Sequence, residues 1–489
     1  MSDKFSIDNE FSRKIRQVLL LLLGTITFSR VTNGGGVLLL IILSFYFAFT
    51  RKIGWFIVVY MMSLLFNVIN ATLIGNGILF RYASLIAIFS FSILMIFLIP
   101  NIKNNRTFPI GGMFLYLGCS LISSLQGYCP QVSFLKLILY FVFILGLYFS
   151  ARMISDDLRN INLIRASLLA FASFSIIGSV LMMVFPSIGY MSIASLMGQG
   201  YTERQIIAQM SETGGINLFR GVMNHSQTLA SMLVLFTGWT ICDMLFAERK
   251  LKYLHIVIIL GSLPLFYMTR SRTALFGIAS LCFIISIFGF YNMNLPMHVK
   301  MRIRQMISGF IIALILVAVV FQIKNKGMTR WIRKTEDLGD SREIVNAVVA
   351  SRMGFVEQNL YDFNRNWILG SGFQVSEEIA EAYRQSNGIM FSAPVEKGIL
   401  PLVVLGEGGL LGAFAFLFFL IIFYSSCIRL QYISIIILFT SYMIKNMSEA
   451  TFFSVNGGGI NWIIILIGGF VVDMYQVVKR QHHVRKTVE

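Results

Sequence analysis

Two arginines stand two positions apart in the stretch TRSRTALFG, Arg270 and Arg272, between long apolar runs, and no Asp or Glu occurs from Arg249 to Thr335 to neutralise them. A guanidinium at the end of a membrane helix has two uses. It snorkels to the headgroups, or it holds an anion, because its planar fork matches phosphate bidentately and keeps its charge in a low-dielectric site. The pair is expected on the outward side, where positive charge is disfavoured by topology. An anion, most simply a phosphate, is then its natural partner. If a helix starts between the two, they face different ways, and Arg272 is expected to be the essential one.

A second outward arginine, Arg220, lies in INLFRGVMNHSQTLA, with Asn224 and His225 within about one helical turn of it. It reads either as an anchor at a helix entry or as a second phosphate or sugar contact. His225 reads first as a satisfied polar residue at a helix start, yet it is the one histidine expected outside. Further on, SAPVEKGILPLVVLGEGGLLGAF puts Pro394, Gly398 and Pro401 at the entry to an apolar run. Glu396 and Lys397 there form a solvated loop pair or a reactive one. Glu407, followed by Gly408 and Gly409, falls within the run, where an ionisable group is expensive and faces a cavity or a partner. KNMSEATFFSVNGGG repeats the theme with Lys445 and Glu449. No DxD or HExxH pattern falls on the outward side, and the Asp156–Asp157 pair falls inside, so neither a metal nor any other cofactor is expected. The five cysteines show no CxxC spacing and read as small buried apolar residues.

The elements that must position these groups are set by composition. Of 489 residues 56% are apolar, only 13% are charged and 44 are Phe, far from a soluble average. An all-α polytopic transmembrane protein of about 12 to 14 spans is expected. Apolar segments run over 17–30, 35–50, 53–74, 78–100, 109–126, 133–151, 161–185, 221–246, 252–268, 272–292, 305–322, 398–425, 429–445 and 459–478. The first follows Arg13, Lys14 and Arg16 without a cleavage-site pattern, so it reads as a retained helix.

Lys and Arg weigh the short loops in alternation. One side collects Arg51 and Lys52, Lys103 and Arg106, Arg152, Arg159 and Arg165, Arg249, Lys250 and Lys252, then Lys300, Arg302 and Arg304, and the tail Lys479, Arg480, Arg485 and Lys486. That side is expected to be the cytoplasm, with both termini in it. The net charge of +17 is thereby an orientation signal and not a nucleic-acid footprint. Two outward connections are long, 186–220 and 323–397. The second holds ten basic and ten acidic residues and an amphipathic helical pattern in SREIVNAVVASRMGFVEQNL, and a loop of that length is usually functional. Four regions follow: N-terminal helices 1–185, a core region 186–322 with the arginine motifs, a large outer loop 323–397, and C-terminal helices with a basic tail 398–489.

Taken together, FRGVMNHSQTLA, TRSRTALFGIAS, LGSGF in the large loop and LGEGGLLGAF after it resemble the O-antigen ligase and O-antigen polymerase superfamily, over roughly residues 190–425. The resemblance implies a C-type glycosyltransferase fold in the bacterial inner membrane and a large periplasmic loop. It also implies a glycan donor on undecaprenyl diphosphate, a glycan or lipid-linked acceptor, a chain-length regulator as partner, and metal-independent catalysis. Arg220 with Arg270 or Arg272 would take the diphosphate, and Asn224, His225, Lys397 and Glu407 would line the substrate. The chain departs from the family in one place. Ligases carry a His-Asn pair about nine residues before the Glu of the Glu-x-Gly element, where this chain reads PVEKG. Glu396 is therefore expected to orient or deprotonate the acceptor hydroxyl, and the missing histidine favours a polymerase. Two other classes stay open: a flippase for the same lipid-linked units, and a scaffold or sensor without catalysis.

Overall fold

The computed structural model describes residues 2–75, 87–95, 108–154, 157–190, 219–247, 252–269, 271–291, 301, 355–375, 377, 380, 398–447, 451–475 and 477–478. In chain order these form α1 (Ser2–Val31), α2 (Gly36–Phe49), α3 (Ile53–Phe66), α4 (Gly111–Leu125), α5 (Pro130–Ile154), α6 (Leu158–Met182), α7 (Ser226–Phe246), α8 (Lys252–Met268), α9 (Arg272–Tyr291), α10 (Leu400–Arg429) and α11 (Ile433–Asn446). Last comes α12 (Val455–Trp462), which continues through a π-helical stretch, Ile463–Gly468, to Tyr475. Residues 87–95 and 355–365 are also helical. The extended pairings described are two isolated bridges, Ile69 with Met223 and Tyr190 with Phe219. The segment expected over 305–322 lies outside the described residues, as does the part of the amphipathic pattern before Phe355.

Five of these helices, Pro130–Ile154, Leu158–Met182, Ser226–Phe246, Leu400–Arg429 and Gly458–Tyr475, are long and apolar enough to cross a membrane. The chain is an all-α polytopic membrane protein. Its polar residues stop and start the helices. Asp157 caps α6 by accepting from the Arg159 amide, His225 caps α7 through Nδ1, and Ser271 Oγ accepts from the Ala274 amide in the first turn of α9. The segment expected to run over 53–74 stops being helical at Phe66. Asn70 turns the chain there: its side chain accepts from Thr72 and its own amide donates to the Val222 carbonyl.

Small residues fix how the helices pass one another. A Cβ on Gly277 of α9 would meet Val234 of α7 and, at 3.8 Å, Lys445 of α11; one on Gly238 of α7 would meet Leu281 of α9 and Leu438 of α11. Thus α7 and α9 run parallel and α11 antiparallel to both. The starts of α7 and α9 share one end of the bundle with the end of α11. Between the ends, Trp239 of α7 donates Nε1–H to the Gly468 carbonyl at 3.0 Å, a carbonyl that the π-helical winding frees from the regular ladder.

The opposite end carries a buried charge cluster. Arg165 was expected among loop charges, but α6 begins at Leu158 and takes Arg165 inside, fully buried. Its Nε and Nη2 both lie 2.6 Å from Asp243 Oδ1 of α7, and His255 Nε2 of α8 is 3.0 Å from Oδ2. The guanidinium also stacks 4.2 Å above the ring of Tyr475 from α12. Four helices are joined through one carboxylate and one guanidinium, which is why these charges tolerate burial.

Candidate functional site

The end opposite the Arg165–Asp243 cluster gathers the features singled out by the sequence, in two groups. The first is a knot of three loops around Arg220. The Arg220 and Gly221 amides both donate to the Gly189 carbonyl, the Asn224 amide to Val68, and the Asn70 amide to Val222. Gly221 has φ +57, and a Cβ there would lie 2.3 Å from Ser179 Oγ, so this turn admits only glycine. The knot buries Arg220 to 1% exposure, with Nε donating to the Ile188 carbonyl at 3.2 Å. Among the described residues no carboxylate pairs with it. Burial pushes the guanidinium down to about 10, which leaves it a cation at neutral pH. His225 follows, buried and engaged in capping, and Asn224 is half-buried beside it.

The second group is built on a break in α10. Gly409 has φ 57 and ψ −157 inside that helix, a conformation essentially confined to glycine. The break exposes backbone groups, and residues 367–372 of the large loop take them up. The Leu410 and Leu411 amides donate to the Trp367 and Ile368 carbonyls at 2.9 and 3.1 Å, and the Ser371 and Gly372 amides donate to the Gly406 and Glu407 carbonyls at 2.8 and 3.0 Å. The strap is held on its other side by the α4–α5 turn and the first two turns of α5. The Tyr128 amide donates to the Ser371 carbonyl at 3.0 Å, Ser133 Oγ donates to the Phe373 carbonyl at 3.0 Å, and Lys136 Nζ donates to the Gln374 carbonyl at 2.9 Å. Gln374 Nε2 donates to the Phe453 carbonyl. Above the strap Tyr128 donates its hydroxyl to Asp362 Oδ1 at 2.7 Å. Burial and that carboxylate raise the Tyr128 hydroxyl above its ordinary range.

Glu407 sits on this break at 3% exposure, two residues before the irregular glycine. Beneath it Tyr116, Phe416, Phe452 and Phe453 pack ring on ring, linking α4 and α10 to the α11–α12 connection. This places Glu407 at the same end of the bundle as Arg220. Lys445, near the end of α11, is buried to 1% exposure against α9. The sequence signalled Lys445 only as a charge near a span end; its burial arises where α11 packs beside Gly277 of α9.

Arg272 is the first residue of α9 and Ser271 stands between it and Arg270, so the helix does start between the two arginines. Only the place of Arg272 in the helix is described. Arg270, Glu396, Lys397 and Glu449 lie outside the described residues. The motifs LGSGF and LGEGG, some thirty residues apart in sequence, meet directly through the strap. The sequence did not reveal that meeting, although the glycines at 370, 372 and 409, all at positive φ, were its visible trace.

No protein-family model, curated protein or solved structure matches the chain. The chemistry open to this end is therefore that of its own groups. Among the described residues no three His, Cys, Asp or Glu side chains converge as metal ligands would, and the five cysteines form no disulfide, three of them buried and two half-buried. The charges at the two ends differ in kind. At the Asp243 end cation and carboxylate are matched within the fold. At the Arg220 end the described residues hold a buried guanidinium through a backbone carbonyl, and such a group is a cationic hydrogen-bond donor for an anion entering from that end.

Proposed function

We propose that the chain is a membrane-embedded, metal-independent glycosyltransferase of the C type that polymerises or ligates glycan units carried on undecaprenyl diphosphate, at the periplasmic face of a bacterial inner membrane. The observation that carries this reading is Arg220: a cation buried without a carboxylate among the described residues is explained by an anion that arrives with the substrate. Arg272, at the start of a helix on the same end of the bundle, and Arg270 before it supply further positive charge for a diphosphate.

In the reaction an acceptor hydroxyl oxygen attacks the anomeric carbon of the donor sugar while the carbon–oxygen bond to the diphosphate breaks. The bonding pair leaves on the diphosphate oxygen, and the arginines stabilise that charge. The hydroxyl proton passes to Glu396, the base this chain offers where relatives of the resembled family carry histidine. Lys397, Asn224, His225 and Glu407 hold and orient the glycans, and a separate regulator sets chain length.

The test is purified protein in nanodiscs with a lipid-diphosphate glycan and either a second lipid-linked glycan or a lipid A core as acceptor. Release of undecaprenyl diphosphate together with a longer glycan is expected, unchanged by EDTA. No product with any acceptor would reject the enzyme. Movement of labelled lipid across proteoliposomes in that case would assign a flippase.

A further inference from the structure

The break in α10 also gives a ruler. From Leu410 to Arg429 the helix past the break has twenty residues, which at about 1.5 Å each is about 30 Å, the thickness of a bilayer's hydrocarbon core. Arg429 closes the far end with a charge. A membrane boundary at the Gly409 break fits that length, and would leave Leu400–Gly408, with Glu407 in it, outside the hydrocarbon.

Trp367 and Ile368 are tied to this boundary, because their carbonyls accept from the amides of Leu410 and Leu411, the first residues past the break. Both side chains are exposed, at 55% and 50%, and so are Leu360 and Tyr361 one to two turns earlier. Positions 357, 360, 361, 364 and 365 recur on one exposed helical face, which mixes Leu360 and Tyr361 with Glu357, Asn364 and Arg365, and the turn that follows exposes Trp367 and Ile368. The opposite face is fixed: Asn359 is buried against Gly406 and Asp362 is held by Tyr128. The exposed face is not isolated. On α10, starting one turn below Leu410, Phe414, Leu417, Phe418 and Ile421 are exposed, and with Leu115 and Cys119 of α4 they line an open, almost wholly apolar groove of about 480 Å³. A flank of that composition on a spanning helix meets lipid.

We infer that residues 357–368 lie on the bilayer interface at the Arg220 end of the bundle, with Trp367 and Ile368 seated among the lipid headgroups and upper acyl chains. The occupant of this face is the lipid surface itself. Amphipathic rings concentrate at that depth, the strap's backbone bonds set the depth of Trp367, and the exposed apolar wall of α10 begins one turn below the break to which the strap is tied. The large outer loop thus rests a foot on the membrane beside the site. This inference does not depend on the catalytic reading.

Tryptophan fluorescence in nanodiscs tests it, comparing the full-length chain with Trp367→Phe. Phenylalanine keeps the carbonyl that holds the strap. In phosphatidylcholine brominated near the head of the acyl chains, the wild type is expected to lose an emission component that Trp367→Phe lacks. That component is about a fifth of the total if the five tryptophans emit equally, while aqueous acrylamide leaves it unquenched. Equal bromine quenching of both proteins, or quenching of the component by acrylamide, overturns the inference. A photoreactive benzoylphenylalanine at Ile368 gives the second reading. Cross-links to phospholipid are expected, and capture of a second copy or of another protein overturns it.

Discussion

Gly408 and Gly409 are neighbours in one helix, yet alanine should act oppositely at the two. A Cβ on Gly408 meets nothing within 4 Å, whereas one on Gly409 would lie 2.4 Å from the backbone carbon and oxygen of Ile368. At Gly408 the substitution removes unfolded-state freedom and gains helix propensity, up to about 1 kcal/mol of stabilisation. At Gly409 the alanine has two routes. Staying in place at φ 57 costs about 1 to 3 kcal/mol of backbone strain, and the overlap with Ile368 adds to it. Straightening the helix instead expels the strap and gives up its four backbone bonds to 406–411, at about 1 kcal/mol each. The cheaper route limits the penalty to about 4 kcal/mol, roughly a thousandfold in the population of the docked strap. Limited proteolysis within 366–375 and thermal unfolding in one detergent read this out. Gly409→Ala is expected to be cleaved far faster and to melt lower, with Gly408→Ala matching or exceeding the wild type. A Gly409→Ala protein with wild-type protection and melting temperature would show that the strap does not depend on the break.

Arg220→Ala should keep the protein in the membrane while lowering transfer about a thousandfold, since a cation about 4 Å from one developing charge at an effective dielectric near 20 is worth about 4 kcal/mol; a small change in kcat/KM would remove Arg220 from the site. In the wild type kcat/KM should fall as pH rises through about 10, where the free guanidinium loses its proton, and a flat profile there would argue against the assignment. Arg272→Lys should lower transfer as well, since an ammonium cannot grip a phosphate bidentately. Glu396→Gln should remove the base while leaving binding of the lipid-linked donor intact, and wild-type turnover would reject its role. Arg165→Ala leaves Asp243 buried with His255 alone and should cost about 3 to 5 kcal/mol, read as lost thermal stability, with the double variant Arg165→Met/Asp243→Leu recovering much of it.

Several helix boundaries were legible because polar and turn-forming residues interrupt the apolar runs. The expected 252–268 and 272–292 are Lys252–Met268 and Arg272–Tyr291, with Thr269 and Ser271 forming the turn between. What escaped the sequence depends on residues far away along the chain. Arg165 looked like one more loop charge because its counterion Asp243 is 78 residues distant. The glycine pair at 408 and 409 suggested a bend without saying which residue turns, since that is decided by the carbonyls of 367 and 368. Local pattern does show Arg220 beside a helix entry, but its burial by the loops at 68–70 and 185–190 is a tertiary fact.

The Arg165–Asp243 contact also sets an order of assembly. At about 5 to 20 residues per second, the ribosome needs roughly 4 to 16 s to make the 78 residues between them, and throughout that interval α6 carries a charge without its counterion. Until α7 arrives, Arg165 is less costly in water than in lipid. Lateral release of α6 and α7 into lipid then becomes a joint event. Nascent chains arrested before Asp243 would be the natural prey of membrane quality-control proteases.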